Sequence, residues 1–228
     1  TTTFPVNIAA DGQVSSYVNA FFKGNIQQVR IFKAALSAAD VSSTWNKESY
    51  NSGDVQWANL VYYNTGLTFN SDKSGLSGET VGATNGVNGD IAFKNTTGAA
   101  FPTTMSTDVS QQFLVQKTEQ SVSFTGTKTG NKPNLYGELP KASTTDKIDF
   151  GTEDFTIQLR VKMDNATSDN YPPIISNKDW NLGANTGFAL AWHTQTLKFN
   201  FTTTPGTRGT DLDTQIDLAD KRWHYITI

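Results

Sequence analysis

A strict alternation of apolar and polar side chains between Phe155 and Lys162 is the feature that most constrains the fold of this chain. The apolar positions are Phe155, Ile157, Leu159 and Val161, and the polar ones are Thr156, Gln158, Arg160 and Lys162. Because successive side chains of a strand point to opposite faces, this period predicts a strand with one face in a core. Apolar runs at Ile174–Ile175 and Phe188–Leu190 flank a polar loop that contains Trp180. Such a loop between core strands is where we expect a functional site.

The rest of the chain repeats this pattern of short apolar runs separated by turn residues. Segments rich in Gly, Asn and Thr, such as 64–89, separate the apolar runs along the 228 residues. Ser37, with Asp40 three residues later, resembles a capping box and predicts one short helix. These features predict an all-β fold, an antiparallel β-sandwich (jelly roll) with one short helix. A doubly wound α/β fold is excluded because no amphipathic helices separate the strands.

Composition excludes several classes of protein. The net charge is −3 and the pI about 5.3, without the basic stripe of a nucleic-acid-binding protein. No apolar run approaches the roughly 18 residues of a transmembrane helix, so we expect no membrane insertion. The chain has no Cys, which excludes disulfides, thiol catalysis and Cys-ligated metals. A Cys-free composition rich in Thr, Ser, Asn and Gly is typical of a bacterial surface protein, and a cytosolic β-domain is the alternative.

Several segments together resemble one superfamily. They are Leu60–Tyr63 with Asp72–Gly75, Val122–Gly126, Asp154–Lys178, Gly187–Leu190, Trp223–Ile226, and Gly24–Phe32 followed by Ala35–Ser37 and Val41. This combination resembles the laminin G-like, concanavalin A-like lectin/glucanase superfamily, whose members are antiparallel jelly rolls of two packed sheets. The resemblance covers most of the chain. It implies a lectin-like sandwich located outside the cell, at the bacterial surface.

The order of these segments is unusual, because the family's ending at residues 24–41 precedes its beginning near residue 60. We predict one permuted or split domain. In it, residues 1–46 supply the C-terminal strands, 47–56 a linker, and 57–228 the N-terminal and central strands. A cut through a tandem array is the alternative, but a piece of about 46 residues without disulfides rarely folds alone. Completion within one chain and exchange between two chains both remain open. We also expect a sheet edge near Ile228 that is unpaired or filled by a partner strand or an insert.

Catalysis is not expected. Family glucanases place two close carboxylates on one strand, as retaining glycoside hydrolysis requires, and no such pattern occurs here. Glu153 and Asp154 are adjacent and therefore face opposite sides of a strand. The two His residues, His193 and His224, belong to no credible Ser-His-Asp pattern. We therefore predict a protein that is not an enzyme.

A ligand site is expected at the rim of the sandwich. Sugar sites combine a flat aromatic ring with amides, acids and a basic donor, a set that this chain offers in Asn177, Asp179, Trp180, Asn181, Trp192, His193 and Arg208. The alternative for Trp180 is an aromatic side chain that caps the sandwich. We expect Arg30 to be structural, paired within the sheet.

Calcium is the expected cofactor, at either of two places. It requires six to eight oxygen ligands, which could come from two loops if they converge: Asp179, Asn181 and Asn185 in one, and Asp211 and Asp213 in the other. The resemblance implies another site at Asp72, where related domains often place a structural calcium. Gln27 and Gln28 replace the acids that partner such a site in the family. The alternative at both places is a turn whose acids accept bonds from backbone amides.

These observations predict a non-catalytic lectin-like module of a bacterial cell-surface or secreted protein. Its partners would be a glycan or other cell-surface ligand, in adhesion, and the neighbouring domains of the parent protein. A structural spacer or scaffold domain of a large adhesin is one alternative, and an accessory carbohydrate-binding domain of a glycosidase or lyase is another. A rim cleft lined by Trp180 with Asp211 and Asp213 would favour the lectin. A rim filled by its own side chains would favour the spacer.

Overall fold

The computed structural model of this chain describes the β-strands and the α-helix given below. The residues described are 6–10, 22–45, 47, 50–64, 75–76, 91–94, 122–125, 128–129, 132–133, 136–139, 150, 153–164, 172–178, 180, 186–193, 195–204, 207 and 209–228. The strands are β1 (Asn7–Ile8), β2 (Lys23–Phe32), β3 (Leu60–Asn64), β4 (Gly75–Leu76), β5 (Ile91–Lys94), β6 (Val122–Thr125), β7 (Lys128–Thr129), β8 (Lys132–Pro133), β9 (Tyr136–Glu138), β10 (Thr156–Met163), β11 (Pro173–Ser176), β12 (Gly187–His193), β13 (Thr196–Thr202), β14 (Thr210–Asp213) and β15 (His224–Thr227). The helix is α1 (Ala38–Thr44), and a 3-10 turn covers Trp57–Asn59.

The predicted fold class is confirmed, since the described strands form two antiparallel sheets and α1 is the one α-helix among the described residues. The larger sheet has eight strands in the order β14-β13-β12-β11-β1-β9-β5-β4. The smaller has the order β15-β10-β2-β3, with β6 also paired to β2. A separate ribbon joins β7 and β8. With seven residues, α1 is far too short to cross a membrane, and no longer apolar helix occurs in the described ranges.

The N-terminal segment contributes a strand to each sheet. β1 lies between β11 and β9, and β2 lies between β10 and β3. Both pairings are made within the same chain. The segment expected to be a linker also packs against the sandwich, because Tyr50 is 5% exposed and its ring stacks on Trp57 at 5.9 Å between centroids.

The alternation in β10 produces the core. Ile157, Leu159 and Val161 are fully buried. From the other sheet, Phe188 and Leu190 of β12 join the same cluster. Each such side chain contributes about 1.5–3 kcal/mol relative to an exposed one. The outward residues of β10 and β12 are therefore left on the outer faces of the two sheets.

The predicted helix start is also confirmed. Ser37 Oγ accepts a hydrogen bond from the Asp40 backbone N–H at 3.2 Å, and the Asp40 carboxylate accepts one from the Ser37 N–H at 3.0 Å. These bonds supply partners for backbone groups that the first helical turn leaves open. The Ser37 hydroxyl, first among the causes, holds the pKa of Asp40 below its usual range.

One end of the smaller sheet is formed by β15, which pairs with β10 alone among the described strands. Beyond β15, Ile228 continues the ladder by exchanging both backbone hydrogen bonds with Ile157, at 3.0 and 2.7 Å. The unpaired edge expected near Ile228 is therefore present within the described part of the chain.

Candidate functional site

A row of paired residues crosses the outer face of the eight-stranded sheet. From β1 to β14 it contains Asn7, Ser176, Ala189, Asn200 and Asp211. Residues directly opposite each other on neighbouring strands point to the same side of a sheet. Since the sequence neighbours of Ala189, Phe188 and Leu190, belong to the core, this row faces outward. A parallel row places Ala191, Lys198 and Asp213 beside it.

Lys178 joins this row from the segment after β11. Its side chain is fully buried, and its Nζ donates a hydrogen bond to Asn200 Oδ1. Asn200 is also fully buried, and its Nδ2 donates to Asp211 Oδ1 at 2.6 Å. The small side chain of Ala189, on β12, lies between β11, which Lys178 follows, and β13, which carries Asn200. The result is a chain of amine, carboxamide and carboxylate, which offsets the high cost of burying an amine.

Asn177 fixes the backbone from which Lys178 starts. Its N–H donates to the Phe188 carbonyl at 3.0 Å, and its Oδ1 accepts from the Phe188 N–H at 2.8 Å. These bonds extend the pairing of β11 with β12 beyond Ser176. Asn177 is 1% exposed, so its amide oxygen serves the sheet instead of facing a ligand.

The other predicted sugar-binding residues are also largely internal. Trp180 is 4% exposed and packs on Ala189 and Ala191, so its ring offers no open stacking surface. Trp192 is 3% exposed and lies in the main core. His193 is partly exposed at the end of β12, opposite Thr196. Asp179, Asn181 and Arg208 fall outside the described residues. Three of the four described members of the set are therefore buried, and the sugar site stays a prediction.

The two described acids of the candidate calcium site have protein partners. Asp211 accepts from Asn200, and Asp213 lies 3.2 Å from Lys198 Nζ. The Gln215 N–H, the first cause, holds the pKa of Asp213 below its usual range. Among the described residues, no three His, Cys, Asp or Glu side chains gather as metal ligands. Asp72 and Asp179 lie outside the described part of the chain, and calcium stays a prediction.

The outer face of the five-stranded sheet buries a second cation, Arg30. This residue is fully buried, and its Nη1 donates to the Thr44 carbonyl and to the Tyr225 hydroxyl, both at 2.9 Å. Its Nη2 donates to the Lys47 carbonyl. The rings of Tyr50 and Tyr63 lie 5.3 and 5.5 Å from the guanidinium carbon. Arg30 is structural, as expected, because it attaches the end of α1 and the following segment to the sheet.

Polar side chains of the neighbouring strands complete this cluster. Tyr225 donates from its hydroxyl to Gln158 Oε1 at 2.9 Å, and Gln158 Nε2 donates to Thr44 Oγ1 at 3.0 Å. Burial is the main cause that raises the pKa of Tyr50 to about 12, with the Asp54 carboxylate adding to it. Strands β2, β10 and β15 are thus joined to the helix by side chains as well as by their ladders.

His224 lies in a polar contact at the start of β15. Its Nε2 is 2.8 Å from Asp220 Oδ1. This hydrogen bond, with the Arg222 N–H as the next cause, holds the pKa of Asp220 far below its usual range. Trp223, next in the chain, carries the guanidinium of Arg160 over its ring at 5.1 Å. These contacts order the turn that leads into β15.

A shallow depression of about 500 Å³ lies at the tip of the β13–β14 hairpin. It is lined by Phe201, Thr202, Thr203, Thr204, Thr207, Gly209 and Thr210. The Thr202 and Thr207 hydroxyls are 2.8 Å apart. Gly209 is required there, since its φ is +84° and a Cβ would lie 2.6 Å from the Phe201 carbonyl oxygen. The described lining residues present hydroxyl groups and one aromatic ring, and none of them is charged.

Sequence reasoning missed Lys178 and Asn200. A faint signal existed, because Asn200 alternates with Phe199 and Phe201 and so had to point outward from β13. What brings Lys178 to it is the register of three strands, which no local pattern specifies.

No family model matches the chain, and no curated protein or solved structure matches it either. The resemblance to the laminin G-like superfamily stays a prediction, and the function must be argued from the geometry.

Proposed function

We propose that this protein is a non-catalytic β-sandwich module that acts as a structural spacer or scaffold in a bacterial cell-surface or secreted protein. The observation that carries the proposal is that the described side chains on the outer face of β11 to β14 are buried or bind one another. Trp180 is packed on alanine, Lys178 and Asn200 are fully buried, and Asp213 pairs with Lys198. Ligand sites need a concave surface with accessible polar groups, whereas these groups bind one another.

The opposite outer face supports the same function. Arg30 ties α1 and the segment after it to β2, so this face is covered by the chain itself. The N-terminal segment adds a strand to both sheets, which links the two layers through one continuous chain. A unit whose described outer side chains mostly bind one another is suited to holding neighbouring domains at a fixed separation.

Glycan arrays in calcium, run with the wild type and with Trp180→Phe, test this function. We expect no specific glycan signal for either protein. The variant should have a lower melting temperature, because phenylalanine fills less of the buried space than tryptophan does. Glycan binding by the wild type that disappears in Trp180→Phe, with the melting temperature unchanged, would contradict the spacer.

The depression beside β13 favours a second candidate function, carbohydrate binding. The protein would then be a lectin-like module in adhesion, with or without calcium, or the accessory carbohydrate-binding domain of a glycosidase or lyase. Its exposed Thr203 and Thr204 present hydroxyl groups next to Phe201, a combination that suits a sugar. If this second function is right, the Thr204→Val variant should bind a glycan identified on the array more weakly than the wild type does. Thr196→Val, at the other end of β13, is the matched control and should bind normally.

A further inference from the structure

We propose that Lys178 and Asn200 form an intramolecular isopeptide bond, with Asp211 as the catalytic acid–base. The three side chains stand in sequence on the outer face of the larger sheet, where Nζ of Lys178 contacts the carboxamide of Asn200 and that carboxamide contacts the Asp211 carboxylate at 2.6 Å. The proposal concerns covalent chemistry and does not depend on whether the module binds a glycan.

The site provides a nucleophile and an electrophile in the right surroundings. Lys178 and Asn200 are both fully buried, and burial disfavours the charged form of an amine. The neutral amine is the nucleophilic form, and lysine is the basic residue that can become neutral in proteins. Trp180, packed over Ala189 and Ala191 of the same face, helps to exclude water.

Positioning removes the main barrier to joining an amine to an unactivated amide. Groups held in contact react with effective molarities of about 10⁵–10⁸ M in favourable cases. Here Asn177 fixes the backbone before Lys178 through two bonds to Phe188, and the β12–β13 register fixes Asn200. The backbone at each of the two reacting residues is therefore held in place by the larger sheet.

The reaction balances without a co-reactant. Lys178 releases one ammonium proton to solvent before its side chain is buried in the sheet, and its Nζ lone pair then forms a bond to Cγ of Asn200. One proton passes from Nζ to Nδ2, and we assign its relay to Asp211 because the Asp211 carboxylate already contacts Nδ2. The Cγ–Nδ2 bond breaks, ammonia leaves, and Asp211 returns to its starting state. Nothing is oxidised or reduced.

The bond would tie the segment after β11 to β13 across β12. It joins positions 22 residues apart and closes a loop that contains the whole of β12. Such a cross-link would give a chain without Cys the covalent restraint that disulfides give other extracellular domains.

Intact-mass spectrometry of the purified wild-type chain tests the bond, because loss of ammonia lowers the mass by about 17 Da. We expect this loss in the wild type and in Lys198→Met, and the full sequence mass in Lys178→Met and Asn200→Ala. We expect Asp211→Asn to keep the full mass or to lose ammonia much more slowly. The wild-type measurement needs no variant to fold. A full wild-type mass would overturn the proposal, and unimpaired loss in Asp211→Asn would overturn the role of Asp211.

Peptide mapping locates the bond and excludes another source of ammonia loss. The Asn85-Gly86 and Asn88-Gly89 pairs can also lose ammonia by forming succinimides. With trypsin, the cross-link predicts no cleavage after Lys178 and a branched product that joins residues 163–198 to residues 199–208. Normal cleavage after Lys178, with the mass loss confined to the Asn-Gly peptides, would contradict it.

Discussion

Among the described residues, each outer face of the sandwich buries one basic side chain, and the two faces do so with different chemistry. On the smaller sheet Arg30 donates to carbonyl and hydroxyl oxygens and lies against two tyrosine rings. On the larger sheet Lys178 donates to the carboxamide of Asn200, which is linked in turn to Asp211. Arginine remains charged in proteins, so its cluster can only hold elements together. Lysine can lose its proton, so its cluster can also react.

The difference shows that burial alone does not make a cluster functional. Both cations are fully buried, and both have hydrogen-bond acceptors. Only Lys178 can become a neutral nucleophile beside its carboxamide partner, because the guanidinium of Arg30 keeps its charge. The chemistry of the basic side chain therefore separates a structural cluster from a reactive one.

The largest effect is expected from removing the cation of the smaller sheet. Arg30→Met should lower the free energy of unfolding by about 3–5 kcal/mol, because it leaves buried acceptors at Thr44, Lys47 and Tyr225 without their donor. Urea unfolding measures the change. Arg160→Met, which removes a partly exposed guanidinium from Trp223, is the matched control and should cost less than about 1 kcal/mol. Similar losses in both variants would remove the distinction that we draw for Arg30.

The next effect concerns the cation of the larger sheet. Lys178→Met should lower the free energy of unfolding by about 3 kcal/mol, the order expected for removing a cross-link that closes a loop of this size. Because one bond needs both residues, Asn200→Ala should have a similar effect and the double variant should add little more. Additive losses in the double variant would show that the two side chains contribute separately and not through a shared bond.

A smaller effect distinguishes packing from ligand binding on the same face. Trp180→Phe should cost about 1–2 kcal/mol, because the smaller ring leaves part of the space over Ala189 and Ala191 unfilled. Thermal unfolding and tryptophan fluorescence measure it. An unchanged melting temperature would mean that the Trp180 ring contributes no packing and is free for another role.

The smallest effect at neutral pH concerns Tyr50, one of the two tyrosines whose rings lie against Arg30. Tyr50→Phe should leave stability at pH 7 nearly unchanged, since the hydroxyl has no hydrogen-bond partner within the described part of the chain. Folding raises the Tyr50 pKa from 10.0 to about 12, so the unfolded chain loses this proton first as the pH rises. The stability that the protonated Tyr50 hydroxyl contributes is complete below pH 10 and is lost as the pH rises to about 12. Between pH 9 and about 12, the melting temperature should therefore fall less steeply with pH for Tyr50→Phe than for the wild type. Equal slopes would contradict this.

Much of the fold could be predicted because its signals are local. The alternation in β10 specifies which side chains enter the core, and the Ser37–Asp40 pair specifies where α1 begins. These patterns act through neighbours in the sequence, so periodicity and capping rules are sufficient.

The candidate site could not be predicted in the same way. The sequence alone suggests that Trp180 is an exposed loop aromatic. In the structure it packs on Ala189 and Ala191 of β12, a contact between residues that no local pattern links. Lys178 and Asn200 meet only because Ser176, Ala189 and Asn200 share one row across three strands. Register is set by the whole sheet, since a slip of one residue would turn every one of these side chains to the other face.

A crystal structure at atomic resolution is the most direct test of the closed, cross-linked face of the larger sheet. We expect Trp180 buried on its two alanines and continuous electron density from Lys178 Nζ to Asn200 Cγ, with no density for a departing Nδ2. Separate Lys178 and Asn200 side chains around a bound metal ion, or an exposed Trp180 ring, would contradict this view of the molecule.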